Sequence, residues 1–169
     1  MKTMKWILAG TAMMWASATF AAGTPADANF AKKAAQSGTA EIAAGKLAVS
    51  QGESADVKAF GQHMIDDHTK ASEDLKAAAA KDGIDLPASA SPEQEAAGKK
   101  LAALNGAAFD KAYARMMVKD HQEAVALFKK ESSAAGDSNV KAFAKETLPT
   151  LEDHLKMAKA LGSSTAAKK

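Results

Sequence analysis

The sequence has no cysteine. That excludes disulfide staples, thiol catalysis and cysteine-held zinc or iron–sulfur sites, and it leaves no residue for lipid attachment. Aromatic residues make up only 5% of the chain, too few for a platform that stacks nucleic-acid bases. There is no phosphate-cradling glycine loop, no G-x-S-x-G and no H-E-x-x-H. No apolar run approaches the ~20 residues of a membrane-spanning helix. Alanine is abundant instead, at 42 of 169 residues, in a chain 47% hydrophobic and 25% charged. This is one domain's worth of chain, able to bury about two thirds of its unfolded surface. Its composition favours helices over strands.

The first 21 residues read as a secretory signal peptide. Lys2 and Lys5 make a basic start, Trp6 to Trp15 is mostly apolar, and Thr19-Phe20-Ala21 places small residues where a signal peptidase reads. Cleavage is expected after Ala21. Export to the periplasm of a Gram-negative cell follows, with no integral membrane segment left after cleavage. The leader carries two lysines and no acid, so the remaining chain holds 20 basic and 20 acidic residues. With that balance and no basic patch, nucleic-acid binding is not expected. Self-association is left open, and no protein partner is specified.

Beyond a linker at 22–27, apolar spacing is helical over 28–161. Phe30, Ala34, Ser37, Glu41, Ala44 and Ala48 share one face, and Gln51-Gly52-Glu53-Ser54 ends that helix and caps the next. The second helix aligns Val57, Phe60, Met64, His68, Leu75 and Ala78, and stops near Asp82-Gly83. Ser91-Pro92-Glu93-Gln94 starts a short helix in capping-box form. The third long helix aligns Tyr113, Met117, His121, Phe128 and Glu131, and the fourth Val140, Ala144, Leu151, Leu155 and Ala158. Pro149 lies inside the fourth and removes one backbone hydrogen bond. Residues 162–169 are expected to fray as a disordered tail.

Gly52-Glu53-Ser54-Ala55-Asp56-Val57-Lys58-Ala59-Phe60 resembles Gly136-Asp137-Ser138-Asn139-Val140-Lys141-Ala142-Phe143. Two related hairpins are therefore expected. The stretch between them is long enough to run back along the bundle. The fold class is all-α: a ferritin-like antiparallel four-helix bundle with a short extra helix in the crossover between the hairpins.

Ionisable groups recur on the apolar faces. At about 100° per residue, His68 lies ~40° to one side of Met64 and Asp67 ~60° to the other. Asp120 and His121 repeat this around Met117, so both helices carry Met-x-x-Asp-His. Glu41 is central on the first helix, His154 flanks Leu151 on the fourth, and His63 and Glu152 sit at the edges. Counting from the tight turns puts these residues near mid-length, in one layer. Burying an unpaired carboxylate or imidazolium costs several kcal/mol, so the groups must pair, hold water or hold a metal. Glu41, Asp67, His68, Asp120, His121 and His154 are the candidate ligands for one transition-metal ion: zinc, iron, manganese or copper. Met64 and Met117 read as core filler.

Four motifs in order carry a family resemblance. They are Phe30-x-x-x-Ala-Ala-Gln-Ser-Gly-x-x-Glu41, Val57-Lys-Ala-Phe60-x-x-x-Met-Ile-Asp-Asp-His68, Met117-Val-Lys-Asp-His121-x-x-Ala-Val-x-Leu-Phe128 and Thr147-Leu-Pro-Thr-Leu-x-x-His154-Leu. Over residues 28–161 the chain resembles the exported bacterial family of domain of unknown function 4142. The resemblance implies a ferritin-like bundle and supplies no reaction. Di-iron bundles use Glu-x-x-His. Here Phe60, Ile65, Val118 and Leu151 stand three before the histidines, which argues against ferroxidase activity. The expected function is metal handling or envelope stress protection by an exported binding protein. The alternative is a non-catalytic structural or interaction bundle whose polar layer only sets helix register.

Overall fold

The computed structural model describes residues 23–134 and 136–167. The expected signal peptide lies outside the described residues. The described chain forms five helices and no strands: α1 Pro25–Gln51, α2 Ala55–Lys81, α3 Pro92–Ala102, α4 Gly106–Ser132 and α5 Asn139–Ala167.

Local chemistry explains most helix ends. Ser54 caps α2 through the Val57 N–H, and Ser91 with Gln94 closes the expected capping box on α3. Two boundaries differ from the sequence reading. The linker at 22–27 already contains helix, because Thr24 and Asp27 form a capping box and Pro25 suits the first turn. The tail at 162–169 does not fray at 162. Gly162 costs only about 1 kcal/mol inside a helix, and Leu161 before it is buried. The hydroxyls of Ser163, Ser164 and Thr165 donate back to carbonyls of the preceding turn, and α5 continues to Ala167.

Two buried aspartates set the winding. Asp110 near the start of α4 accepts from the Glu53 and Ser54 N–H groups at 2.9 Å each, tying α4 to the α1–α2 turn. Asp82 at the end of α2 accepts from the Asn139 N–H at 3.1 Å and the Val140 N–H at 2.8 Å, tying it to the start of α5. These carboxylates satisfy N–H groups that helix starts leave free. The 83–105 segment therefore runs the length of the bundle between the hairpins, with α3 lying on α1 and α4. α1 pairs with α2 and α4, and α5 with α4 and α2. Every neighbouring pair is antiparallel, and α2 and α4 run parallel across the diagonal. This is the four-helix bundle with one long crossover that the repeat predicts.

The interior has two apolar halves. Phe30, Leu75, Phe128, Val140, Phe143 and Leu151 belong to one, and Val57, Phe60, Met64, Phe109, Tyr113 and Met117 to the other. Along each long helix the switch from one half to the other falls at Glu41, His68, His121 and His154.

Candidate functional site

The boundary between the apolar halves is a polar layer. α1 presents small residues there, Ala34, Gly38 and Ala44, so the long side chain of Glu41 can reach inward. α2 brings His68, α4 His121 and α5 His154, and the side chains of these four residues are at most 7% exposed. The imidazoles form a triangle with ring centroids 5.7 Å apart for His68–His121, 5.4 Å for His68–His154 and 5.3 Å for His121–His154. One ligand atom from each lies within 4.8 Å of the other two. Tetrahedral coordination at ordinary Zn–N lengths needs nitrogens ~3.4 Å apart, so an ion would draw the rings in modestly.

The hydrogen bonds decide which nitrogens are free. His121 Nδ1 lies 2.9 Å from the Met117 carbonyl. A carbonyl only accepts, so Nδ1 carries the proton and Nε2 has the lone pair. That Nε2 is buried without a partner. His154 Nε2 lies 2.9 Å from Asp67 Oδ2. It donates there, and its Nδ1 is the second buried lone pair without a partner. Burial keeps His121 below the ordinary histidine range and His154 down at about 4, so both rings are neutral at neutral pH.

Glu41 and His68 carry the charge. Their Oε2 and Nε2 stand 2.8 Å apart, at an angle short of a well-aligned hydrogen bond. Burial pushes the Glu41 carboxyl up, but His68 and His121 outweigh it and bring it to about 2. Burial likewise lowers His68, and Glu41 reverses the sign and raises it. The other oxygen of Glu41 lies 3.6 Å from His121 Nδ1 and has no hydrogen-bond partner. Beside Glu41 and His68 is a pocket of about 30 Å³, reaching toward Phe128 and Leu151.

Of the six candidate ligands, Glu41, His68, His121 and His154 meet in this layer. Asp67 stands behind His154, half-buried, as the acceptor that orients the ring. Asp120 does not join: it is half-buried with Lys119 at 3.9 Å. Burial, then Glu41, raise its carboxyl to about 6. Glu152, placed at an edge by its helical angle, is on the surface with Lys129 at 2.7 Å. His63, also set at an edge, stands next to the site, its Nε2 3.5 Å from Asp67 Oδ2 and its ring 5.2 Å from that of His154. The signal that could have found it is its place four residues before Asp67, one turn along the same face.

The sequence profile of a domain of unknown function, DUF4142, matches residues 12–161. The chain belongs to that family. No curated protein matches it. Among solved structures this DUF4142 chain is similar to a DUF305 fragment from Deinococcus radiodurans, at 18% identity and a TM-score of 0.72, covering 84% of this chain and 99% of that one. It is also similar to a DUF305 protein from Streptomyces coelicolor described as secreted, at 16% identity and a TM-score of 0.70, covering 85% and 96%. At these identities the likeness is one of fold.

Proposed function

We propose that this DUF4142 protein is an exported binding protein that holds one transition-metal ion between His68, His121 and His154, with Glu41 as the fourth ligand or as the charge beside it. One observation carries the reading: two neutral imidazoles, each held through one ring nitrogen, leave the other nitrogen buried and unpartnered, within a cluster whose ligand atoms lie no more than 4.8 Å apart. Metal-binding histidines characteristically give their other ring N–H to a carbonyl or carboxylate, and His121 and His154 do so. Three imidazoles and a carboxylate suit zinc, copper or iron, and manganese less well. Binding requires His68 to give up its proton, since an imidazolium has no lone pair. Glu41 then balances part of the charge of the ion.

Export is inferred from the basic and apolar leader, and the secreted description of the Streptomyces neighbour agrees with it. Among the described residues no helix is long and apolar enough to cross a membrane. Metal handling in the cell envelope, or protection from stray redox-active ions, fits such a site. The test is elemental analysis of protein purified without chelators. About one equivalent of metal, lost in His121→Ala, is expected. Less than a tenth of an equivalent, with no melting shift on adding zinc, iron, manganese or copper, rejects the reading.

The short Glu41–His68 pair favours a second reading, in which the layer only fixes helix register. Replacing Glu41, His68 and His121 together by leucine would then leave the melting temperature unchanged or raised, since apolar replacement of a whole buried ion pair is often neutral or stabilising. Loss of stability confined to metal-loaded protein would count against it.

A further inference from the structure

His121 is fully buried and His68 and Glu41 nearly so, so an ion bound among them needs a way in. Building on the buried-site reading above, we propose that His63, Asp67 and His154 form a solvent-facing loading site from which the ion passes inward, with His154 shared by both positions. His63 and Asp67 lie one turn apart on α2, and α5 supplies His154 across the interface. Their ligand atoms lie within 4.8 Å of one another. Asp67 Oδ2 is 3.5 Å from His63 Nε2 and 2.9 Å from His154 Nε2. Exposure falls in one direction, from 42% for the His63 side chain through 35% for Asp67 to 2% for His154. The outer ligands can therefore take a hydrated ion, with water completing its shell.

The sharing follows from ring chemistry. A neutral imidazole offers one lone pair at a time. While Nε2 of His154 donates to Asp67, its buried Nδ1 is the ligand and the inner position is the one that can fill. When an outer ion takes Nε2, the ring proton must sit on Nδ1, and His154 cannot serve the inner position. The two positions thus exclude each other unless His154 loses its ring proton altogether. The rings of His68 and His121 stand 5.4 and 5.3 Å from that of His154, so the transfer is a short step past one side chain. At saturation the protein holds one ion, not two.

The experiment uses the chain without its leader, zinc at equilibrium, and cobalt(II) uptake followed by absorbance, with removal by an excess of chelator. In His63→Ala one ion still binds with affinity within about threefold of wild type, while uptake and removal both slow by about tenfold or more, the cost of one lost ligand along the path. His63→Glu, which keeps a ligand atom at the mouth, restores both rates. A merely steric gate predicts the reverse sign, because alanine widens the mouth. Unchanged or faster exchange in His63→Ala, or two zinc ions per wild-type chain, overturns the loading site. If that happens while His121→Ala (or His121→Asn, should the alanine form not fold) abolishes tight binding, the buried site stands and only the loading site falls. If wild type binds no ion, or binding survives loss of His121 and needs His63, the buried-site reading fails and the inward passage with it.

Discussion

At the residue scale, near-identical motifs meet different fates because their neighbours differ. Met64-x-x-Asp67-His68 and Met117-x-x-Asp120-His121 occupy equivalent faces of two parallel helices. Asp67 faces an imidazole, His154, and is held in place at 2.9 Å. Asp120 feels Glu41, a charge of its own sign, and remains half-buried at the rim. Spacing placed both aspartates on the inward arc and could not distinguish them, since the difference lies on another helix. A second carboxylate pair, outside the layer, is Asp27 with Glu131. Both are buried. Burial, then the bond to Asp27 and its charge, push Glu131 up to about 7, so Glu131 holds the shared proton. Its folded-state pKa lies above the ordinary 4.5. The folded protein then binds the extra proton, and stability declines as pH rises from about 4.5 through about 7. Asp27 is shifted downward, so its effect falls at more acidic pH. Glu131→Gln keeps a donor to Asp27 and cannot ionise. Thermal melts at pH 5 and pH 8 should show wild type losing stability relative to this variant at the higher pH. Parallel curves would contradict the shared proton.

At the scale of elements, α1 and α2 approach through small residues. A Cβ built on Gly61 would stand 2.6 Å from the Ala48 Cβ and 2.9 Å from the Gly45 carbonyl oxygen. Both obstacles belong to the neighbouring helix and cannot swing aside. Gly61→Ala should therefore cost about 1–3 kcal/mol despite the better helix propensity of alanine. Gly98 in α3 has nothing within 4 Å of an added Cβ, so Gly98→Ala should be neutral or stabilising by a few tenths to about 1 kcal/mol. Denaturant midpoints of the two variants check the contrast. The same close approach brings Glu41 and His68, on facing helices, to 2.8 Å. The starts of α2, α3 and α5 were legible in the sequence because their caps are local: Ser54, Ser91 and Ser138 each accept from the N–H three residues on. The persistence of α5 past Gly162 was not legible, because Leu161 anchors it by packing against other helices.

For the whole molecule, the two hairpins are joined at each end by a buried carboxylate, Asp110 at one and Asp82 at the other, and at the middle by the polar layer. A bound ion would tie α2, α4 and α5 together through one centre. An ion that binds the folded state alone stabilises it by about 2.7 kcal/mol at one hundred times its dissociation constant. For a chain of this size that raises the melting temperature by about 5–10 °C. Zinc should produce this rise in wild type, chelator should reverse it, and His121→Ala should show none. Equal shifts in both proteins would mean binding elsewhere.

Helical periodicity, the caps, the repeat and the mid-length position of the histidines belong to the sequence by itself, because each depends on spacing along one chain and on fixed helical geometry. The bundle, its crossover and the layer at Glu41, His68, His121 and His154 were legible for that reason. Only the tertiary structure decided which nitrogens are left bare, that Asp67 supports a ring while Asp120 does not, and that His63 stands beside Asp67 and His154. Those properties depend on what faces each side chain from a neighbouring helix, at distances of a few ångströms that no spacing rule contains.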